Sequence, residues 1–152
     1  MLSVRPEKPT EPRIRPVNLE RLQVLFVDDD VDVLHLVKLI LTNAGAVVST
    51  AGSGQQALEL LATTRPDVII SDISMPGFNG YQFIEELRRR SPEEGGLTPA
   101  LALTAHTRTK DQEKALAAGF NLHLSKPMRA LQLIASICEL VEKNGRRSQP
   151  QP

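Results

Sequence analysis

Four short apolar runs in this sequence each end in a residue able to do chemistry. Val24-Leu25-Phe26-Val27 leads into Asp28-Asp29-Asp30, and Val68-Ile69-Ile70-Ser71 into Asp72. Ala100-Leu101-Ala102-Leu103 leads into Thr104, and Leu122-His123-Leu124-Ser125 into Lys126. Brought together, these would be carboxylates, a hydroxyl and an ammonium. Two carboxylates ~4 Å apart repel by about 4 kcal/mol at an effective dielectric of 20, so such a cluster asks for a cation. Oxygen-only donors favour a hard ion such as Mg²⁺, which keeps several waters and also takes phosphate oxygens. Lys126 adds a fixed positive charge, and Thr104 offers a hydrogen bond to a phosphoryl oxygen. Phosphoryl transfer needs little beyond positioning and neutralised charge. Asp72 is the best nucleophile candidate, because a carboxylate can form an acyl phosphate. It stands alone at the end of its run, with Met75-Pro76-Gly77 shaping the loop after it. Singly, each residue is ordinary: an acid after a strand often caps the next helix, and Asp30 or Asp32 fills that role here. The weight lies in the conjunction.

The elements that must position these groups are legible as alternating periods. After the first apolar run, Val33, Leu36, Val37, Ile40, Leu41 and Ala44 recur at helical spacing, with Gly45 as the C-terminal cap. Val47-Val48 marks a second strand, and Ala57, Leu60 and Leu61 a second helix. Pro66 precedes the third strand, which ends in Asp72. Phe83, Ile84 and Leu87 mark a third helix, stopped by Ser91-Pro92. The loop EEGGLTP leads to the fourth strand. Residues 110–118 form a helix ending at Gly119, residues 122–125 a fifth strand, and residues 128–142 a last helix. Five βα units imply a parallel sheet covered on both faces. In such sheets sites form at the carboxyl ends of the strands, where strand order reverses.

The segments LFVDDD, SDISMPGFNGY, LALTAH and LSKPM resemble, in order and spacing, the response-regulator receiver family of two-component signalling. The resemblance spans residues 22–143. It implies a flavodoxin-like (βα)5 fold, a doubly wound parallel five-stranded sheet of order 2-1-3-4-5. It also implies that Asp72 is the phosphoacceptor, that Asp28 and Asp29 hold Mg²⁺, the second more directly, and that the backbone carbonyl of Ser74 is a further ligand. Thr104 would be the switch hydroxyl, and Lys126 would pair with the phosphoryl group. Pro127 would follow a peptide bond that is usually cis in the family. The donor would be a phosphohistidine on a sensor histidine kinase or a histidine phosphotransfer protein. The chain would catalyse its own aspartyl phosphorylation and dephosphorylation, and signal to a downstream protein through the surface of the fourth helix, fifth strand and fifth helix. Three residues before Lys126, where the family often has a switching aromatic, stands His123. Ser74 and His106 occupy the positions that tune phosphoryl lifetime, and neither side chain is an acid or amide.

The whole chain sets outer bounds. With 152 residues, 41% apolar and 24% charged, it has room for one domain with a real core. A formal net charge of zero gives no global pull toward nucleic acid or membrane. One cysteine excludes an internal disulfide. No apolar run reaches the roughly 18 residues of a membrane span, and the N-terminus lacks a signal peptide's apolar stretch. A cytoplasmic location is the expectation. Residues 1–20, with four prolines among scattered charges, read as a disordered or loosely docked extension, 21–143 as the receiver domain and 144–152 as a disordered tail. A free-standing regulator is favoured over a piece of a hybrid kinase.

Other features are weighed and set aside. Gly52-Ser53-Gly54-Gln55-Gln56-Ala57 fits a dinucleotide fingerprint, but it follows an edge strand, and Ser53 as a helix N-cap explains it. On the last helix, Leu131, Ile134, Cys138 and Val141 form the stripe expected in the core. Leu133, Ile137 and Leu140 form a second stripe beside it, read either as margins leaning on the preceding helix or as a partner or homodimer surface. Two other functions compete. A haloacid-dehalogenase-type phosphatase places its nucleophile after the first strand in D-x-D-x-[TV], which Asp32 breaks. A docking module independent of phosphorylation would be expected to lose part of the acid, Thr and Lys set, and all are present.

Overall fold

The computed structural model of the protein describes residues 19–105, 108–126 and 129–144. The N-terminal segment before Leu19, the C-terminal tail, His106 and Pro127 lie outside the described residues.

Strands β1 (Gln23–Val27), β2 (Val47–Ala51), β3 (Val68–Asp72), β4 (Ala100–Thr104) and β5 (Leu122–Ser125) alternate with five helices. These are α1 (Val31–Asn43), α2 (Gly54–Thr64), α3 (Gly80–Arg88), α4 (Thr109–Ala118) and α5 (Ala130–Asn144). The strands form one parallel sheet in the order β2-β1-β3-β4-β5, as the resemblance implied. Strand β3 is buried throughout, because helices cover both faces.

Alternation along the strands sorts the core into two layers. Val24, Phe26, Val68, Ile70, Leu101 and Leu103 meet α1 and α5. Leu25, Val27, Ile69, Ala100 and Ala102 meet α2, α3 and α4. The helix starts are fixed by side chains that satisfy otherwise unpaired amides. Asp30 accepts from the amides of Asp32 and Val33. Ser53 accepts from the Gln56 amide. Asn79 and Gln82 form a reciprocal capping box at α3. Asp30 thus takes the cap that the sequence shared between Asp30 and Asp32.

Three expectations change. First, Leu133, Ile137 and Leu140 are 1%, 0% and 4% exposed inside the monomer, so the second stripe of α5 is core and the homodimer surface read from it does not stand. Leu131, expected in the core, is 65% exposed. Second, ordered structure begins before residue 21. Leu19 is buried, its amide bonds the Ala44 carbonyl at 2.8 Å, and the Arg21 amide bonds the Gly45 carbonyl at 2.9 Å. Gly45 permits this with φ +103°, since a Cβ there would press on the Glu20 backbone. Third, α5 runs to Asn144.

One half-buried cation carries no signature in the sequence. Arg88, in the last turn of α3, donates to the carbonyls of Gly119 (2.9 Å), Gly96 (3.0 Å) and Thr98 (2.7 Å) and to Asn121 Oδ1 (3.0 Å). The same Asn121 oxygen accepts from the Ala100 amide, at the start of β4. Burial pushes the guanidinium below its ordinary value. Its hydrogen bonds tie α3 to the loop before β4 and to the end of α4. We expect Arg88→Met to lower stability by about 2–3 kcal/mol, the scale of lost charge-assisted hydrogen bonds, read from the urea unfolding midpoint. An unchanged midpoint would show that these carbonyls need no donor from the protein.

Candidate functional site

The sheet order puts β1 and β3 side by side, with α1 leaving toward one face and α2 and α3 toward the other. Strand order reverses here, and it is at such a point that the carboxyl ends of parallel strands open a crevice. Asp28 follows β1 directly, and its amide continues the ladder by bonding the Ala51 carbonyl at 3.0 Å. Asp72 closes β3, opposite Leu103 of β4. Thr104, the next residue on β4, is 1% exposed. Lys126 directly follows β5, and its amide bonds the Thr104 carbonyl at 2.8 Å.

The side chains converge. One carboxylate oxygen from each of Asp28, Asp29 and Asp72 falls within 4.8 Å of the others. Asp28 is 1% and Asp72 5% exposed, while Asp29 is open to solvent. Lys126 Nζ bridges the two buried acids, 3.2 Å from Asp28 Oδ2 and 3.4 Å from Asp72 Oδ1. The second oxygen of Asp28 accepts from the Asp30 amide at 2.9 Å. Asp72 also accepts from the backbone amide of Ser74.

These contacts set the charge balance. Burial raises the Asp72 carboxyl above the ordinary carboxylate range, and the charge of Asp28 raises it further. Lys126 and the Ser74 amide pull it down without cancelling the rise. For Lys126, burial works to lower the ammonium, but Asp28 and then Asp72 outweigh it, and the net shift is upward. One ammonium therefore serves two buried carboxylates, with a third close by. The donors are all hard oxygens, two of them buried and one facing solvent, which suits an ion that keeps part of its water shell. By donor type, charge and spacing, the residues fit Mg²⁺.

Asp28, Asp29, Asp72, Thr104 and Lys126, all singled out from the sequence, sit at this sheet edge. Three contributors were missed. The Ser74 amide donates to the Asp72 carboxylate. The buried Ser71 hydroxyl donates to the Asp72 carbonyl at 2.8 Å. Gly80 packs so tightly that a Cβ would lie 2.6 Å from the Asp72 carbonyl oxygen and 2.6 Å from Ile73 Cα. Only the spacing of Gly80 from Asp72 offered a signal for any of these. His123 lies on β5 with both ring nitrogens buried and without a hydrogen-bond partner among the described residues.

The chain matches the response regulator receiver domain family over residues 24–138. Hybrid signal transduction histidine kinase D of Dictyostelium discoideum is 38% identical over 128 residues, covering 80% of this chain and 8% of the kinase. Chemotaxis protein CheY4 of Vibrio cholerae superposes with a TM-score of 0.74 at 32% identity, covering 79% of this chain and 98% of that one. The receiver domain of sensor histidine kinase PA1611 from Pseudomonas aeruginosa, solved with a magnesium ion coordinated in its active site cleft, gives 0.73 at 29% identity and covers 80% and 98%.

A carboxyl group raised by its surroundings lowers the stability of the fold whenever it is ionised. At neutral pH without divalent cation, Asp72→Asn should therefore raise stability, by on the order of 1 kcal/mol. Mg²⁺ should stabilise the wild type markedly and the variant little. Thermal unfolding in EDTA and in Mg²⁺ measures both effects. A variant less stable than wild type in EDTA would contradict the charge balance described.

Proposed function

The chain belongs to the response regulator receiver domain family, and on that premise we propose that Asp72 accepts a phosphoryl group from a phosphohistidine donor and that the modified domain signals through protein contacts. The observation that carries this reading is the oxygen cluster of Asp28, Asp29 and Asp72 with Lys126 bridging its two buried members. The donor is a sensor histidine kinase or a histidine phosphotransfer protein.

In the proposed reaction an Asp72 carboxylate oxygen attacks the phosphorus of the phosphohistidine. The new O–P bond forms as the P–N bond breaks, and the electron pair of that bond leaves on the imidazole. Asp28, Asp29 and the Ser74 carbonyl would hold Mg²⁺, which would supply positive charge to the phosphoryl oxygens. Lys126 already lies against Asp72, so it needs only a small movement to pair with the phosphoryl group. The Ser74 amide and the Ser71 hydroxyl keep the nucleophile and its backbone in place. Attack of water on the aspartyl phosphate returns Asp72 and releases inorganic phosphate, so the signal is reversible.

The consequence reaches the surface through β4 and β5. Thr104 donates its hydroxyl to the phosphoryl group, and its carbonyl is already joined to the Lys126 amide. The two residues that respond to the phosphoryl group thus share one backbone hydrogen bond across β4 and β5. Their movement biases the α4-β5-α5 surface between two states. Leu116 on α4 and Leu131 on α5 are 50% and 65% exposed, which supports a protein reader there.

Incubation with acetyl phosphate and Mg²⁺, followed by intact-mass spectrometry, tests the reading. We expect a phosphoryl-sized gain in the wild type, absent from Asp72→Ala and abolished by EDTA. Lys126→Ala should slow the gain by about 10²-fold or more, the scale for loss of a preorganised charge contact. An equal gain in wild type and Asp72→Ala would overturn the assignment.

A further inference from the structure

Gly54 is the first residue of α2 and is buried. A Cβ built there would lie 2.6 Å from Phe78 Cδ2, 3.0 Å from Phe78 Cε2 and 3.2 Å from Phe83 Cβ. The space a side chain would occupy is filled by the Phe78 ring. Phe78 belongs to the loop 73–79 that carries the chain from Asp72 to α3. It packs against the core cluster that includes Met75, Phe83 and Ile84. Gly80 locks the far end of that loop: a Cβ there would lie 2.6 Å from the Asp72 carbonyl oxygen, and its amide bonds the Ile73 carbonyl at 2.9 Å. Between the two seats lies Ser74, whose amide donates to the Asp72 carboxylate.

We infer that Gly54 and Phe78 form a seat that positions this loop, so that Gly54 governs how tightly the acidic pocket holds a divalent cation and how readily Asp72 reacts. The seat matters to function only if the chain is a phosphoacceptor receiver, so it rests on that reading. Phe83 Cβ is fixed on α3, so an added methyl at Gly54 is accommodated by the Phe78 ring. The Gly80 end cannot yield. Gly77 can, having φ +76° and open space where a Cβ would lie. The displacement therefore falls on residues 74–78. Met75, 6% exposed and adjoining Ser74 in the chain, belongs to the cluster against which the ring packs. Helix propensity works in the opposite direction, because alanine favours a helix more than glycine does. A loss of cation affinity in Gly54→Ala would therefore not come from a weakened α2.

The test compares wild type, Gly54→Ala, Phe78→Ala and the double variant. Mg²⁺ affinity is measured by titration calorimetry, stability by urea unfolding in EDTA, and phosphoryl acceptance at saturating acetyl phosphate. We expect Gly54→Ala to unfold cooperatively yet bind Mg²⁺ about tenfold more weakly, the scale of an outer-shell loss. In the Phe78→Ala background the same substitution should cost nothing further, because the ring it displaces is gone. Phe78→Leu leaves α2 untouched and carries the same direction of change, which keeps the test open if Gly54→Ala does not fold. Wild-type affinity in Gly54→Ala or Phe78→Leu would overturn the seat. So would an equal loss from Gly54→Ala with and without the ring. If the wild type itself neither binds Mg²⁺ nor takes a phosphoryl group, the receiver reading fails, and the inference with it.

Discussion

The fold holds Asp28 and Asp72 buried against one another with a single ammonium between them, and most of the architecture can be traced to that constraint. Like charges at this spacing repel by several kcal/mol in a partly buried setting, on the order of 3–4 at an effective dielectric of 20. Nothing in the acids themselves keeps them together. They are held by the backbone: β1 and β3 are adjacent parallel strands, hydrogen-bonded along their length, with β3 buried throughout. The repulsion is imposed by the sheet and relieved in part by Lys126, whose ammonium is raised by the two carboxylates it serves. A pocket with this residual negative charge is suited to a hard cation and, with the cation, to a phosphoryl group.

Precision at the site comes from the loop after β3. That loop is closed at both ends by glycines whose missing side chains are occupied: Gly80 by the Asp72 backbone, and Gly54, on a different helix, by Phe78. The asparagine cap of α3 and the Ser71 hydroxyl consume backbone groups that would otherwise be free to rearrange. At the other end of the sheet, Arg88 performs a similar service for the turns between α3 and β5. Close-packed and hydrogen-bonded backbone thus surrounds a small number of charged groups.

Much of this was legible in the residues. Apolar runs of strand length alternating with helical stripes marked out the five βα units, and the polar residue after each relevant run named the site. Those signals are local. What the sequence concealed depends on non-local geometry. The last helix is apolar over a wide arc, and only the angle at which α5 lies on the sheet decides that Leu133 is buried while Leu131 is not. Leu19 looks like part of a polar, proline-rich segment until the α1–β2 turn is there to receive it. Arg88 resembles any charged residue in a helix's last turn, and its burial depends on carbonyls contributed by separate turns. Gly54 sat in a pattern suggestive of a dinucleotide-binding loop, whereas the structure packs it against the ring of Phe78, on the loop after β3.

The pocket is a carboxylate cluster short of positive charge, with Lys126 as its resident but insufficient cation. Titration calorimetry of Mg²⁺ into wild type and Lys126→Ala tests this most directly. Removing a competing ammonium from beside the binding oxygens should tighten Mg²⁺ binding, even as phosphoryl acceptance falls. Unchanged or weaker Mg²⁺ binding in Lys126→Ala would contradict the account, showing that the lysine does not compete for those carboxylates.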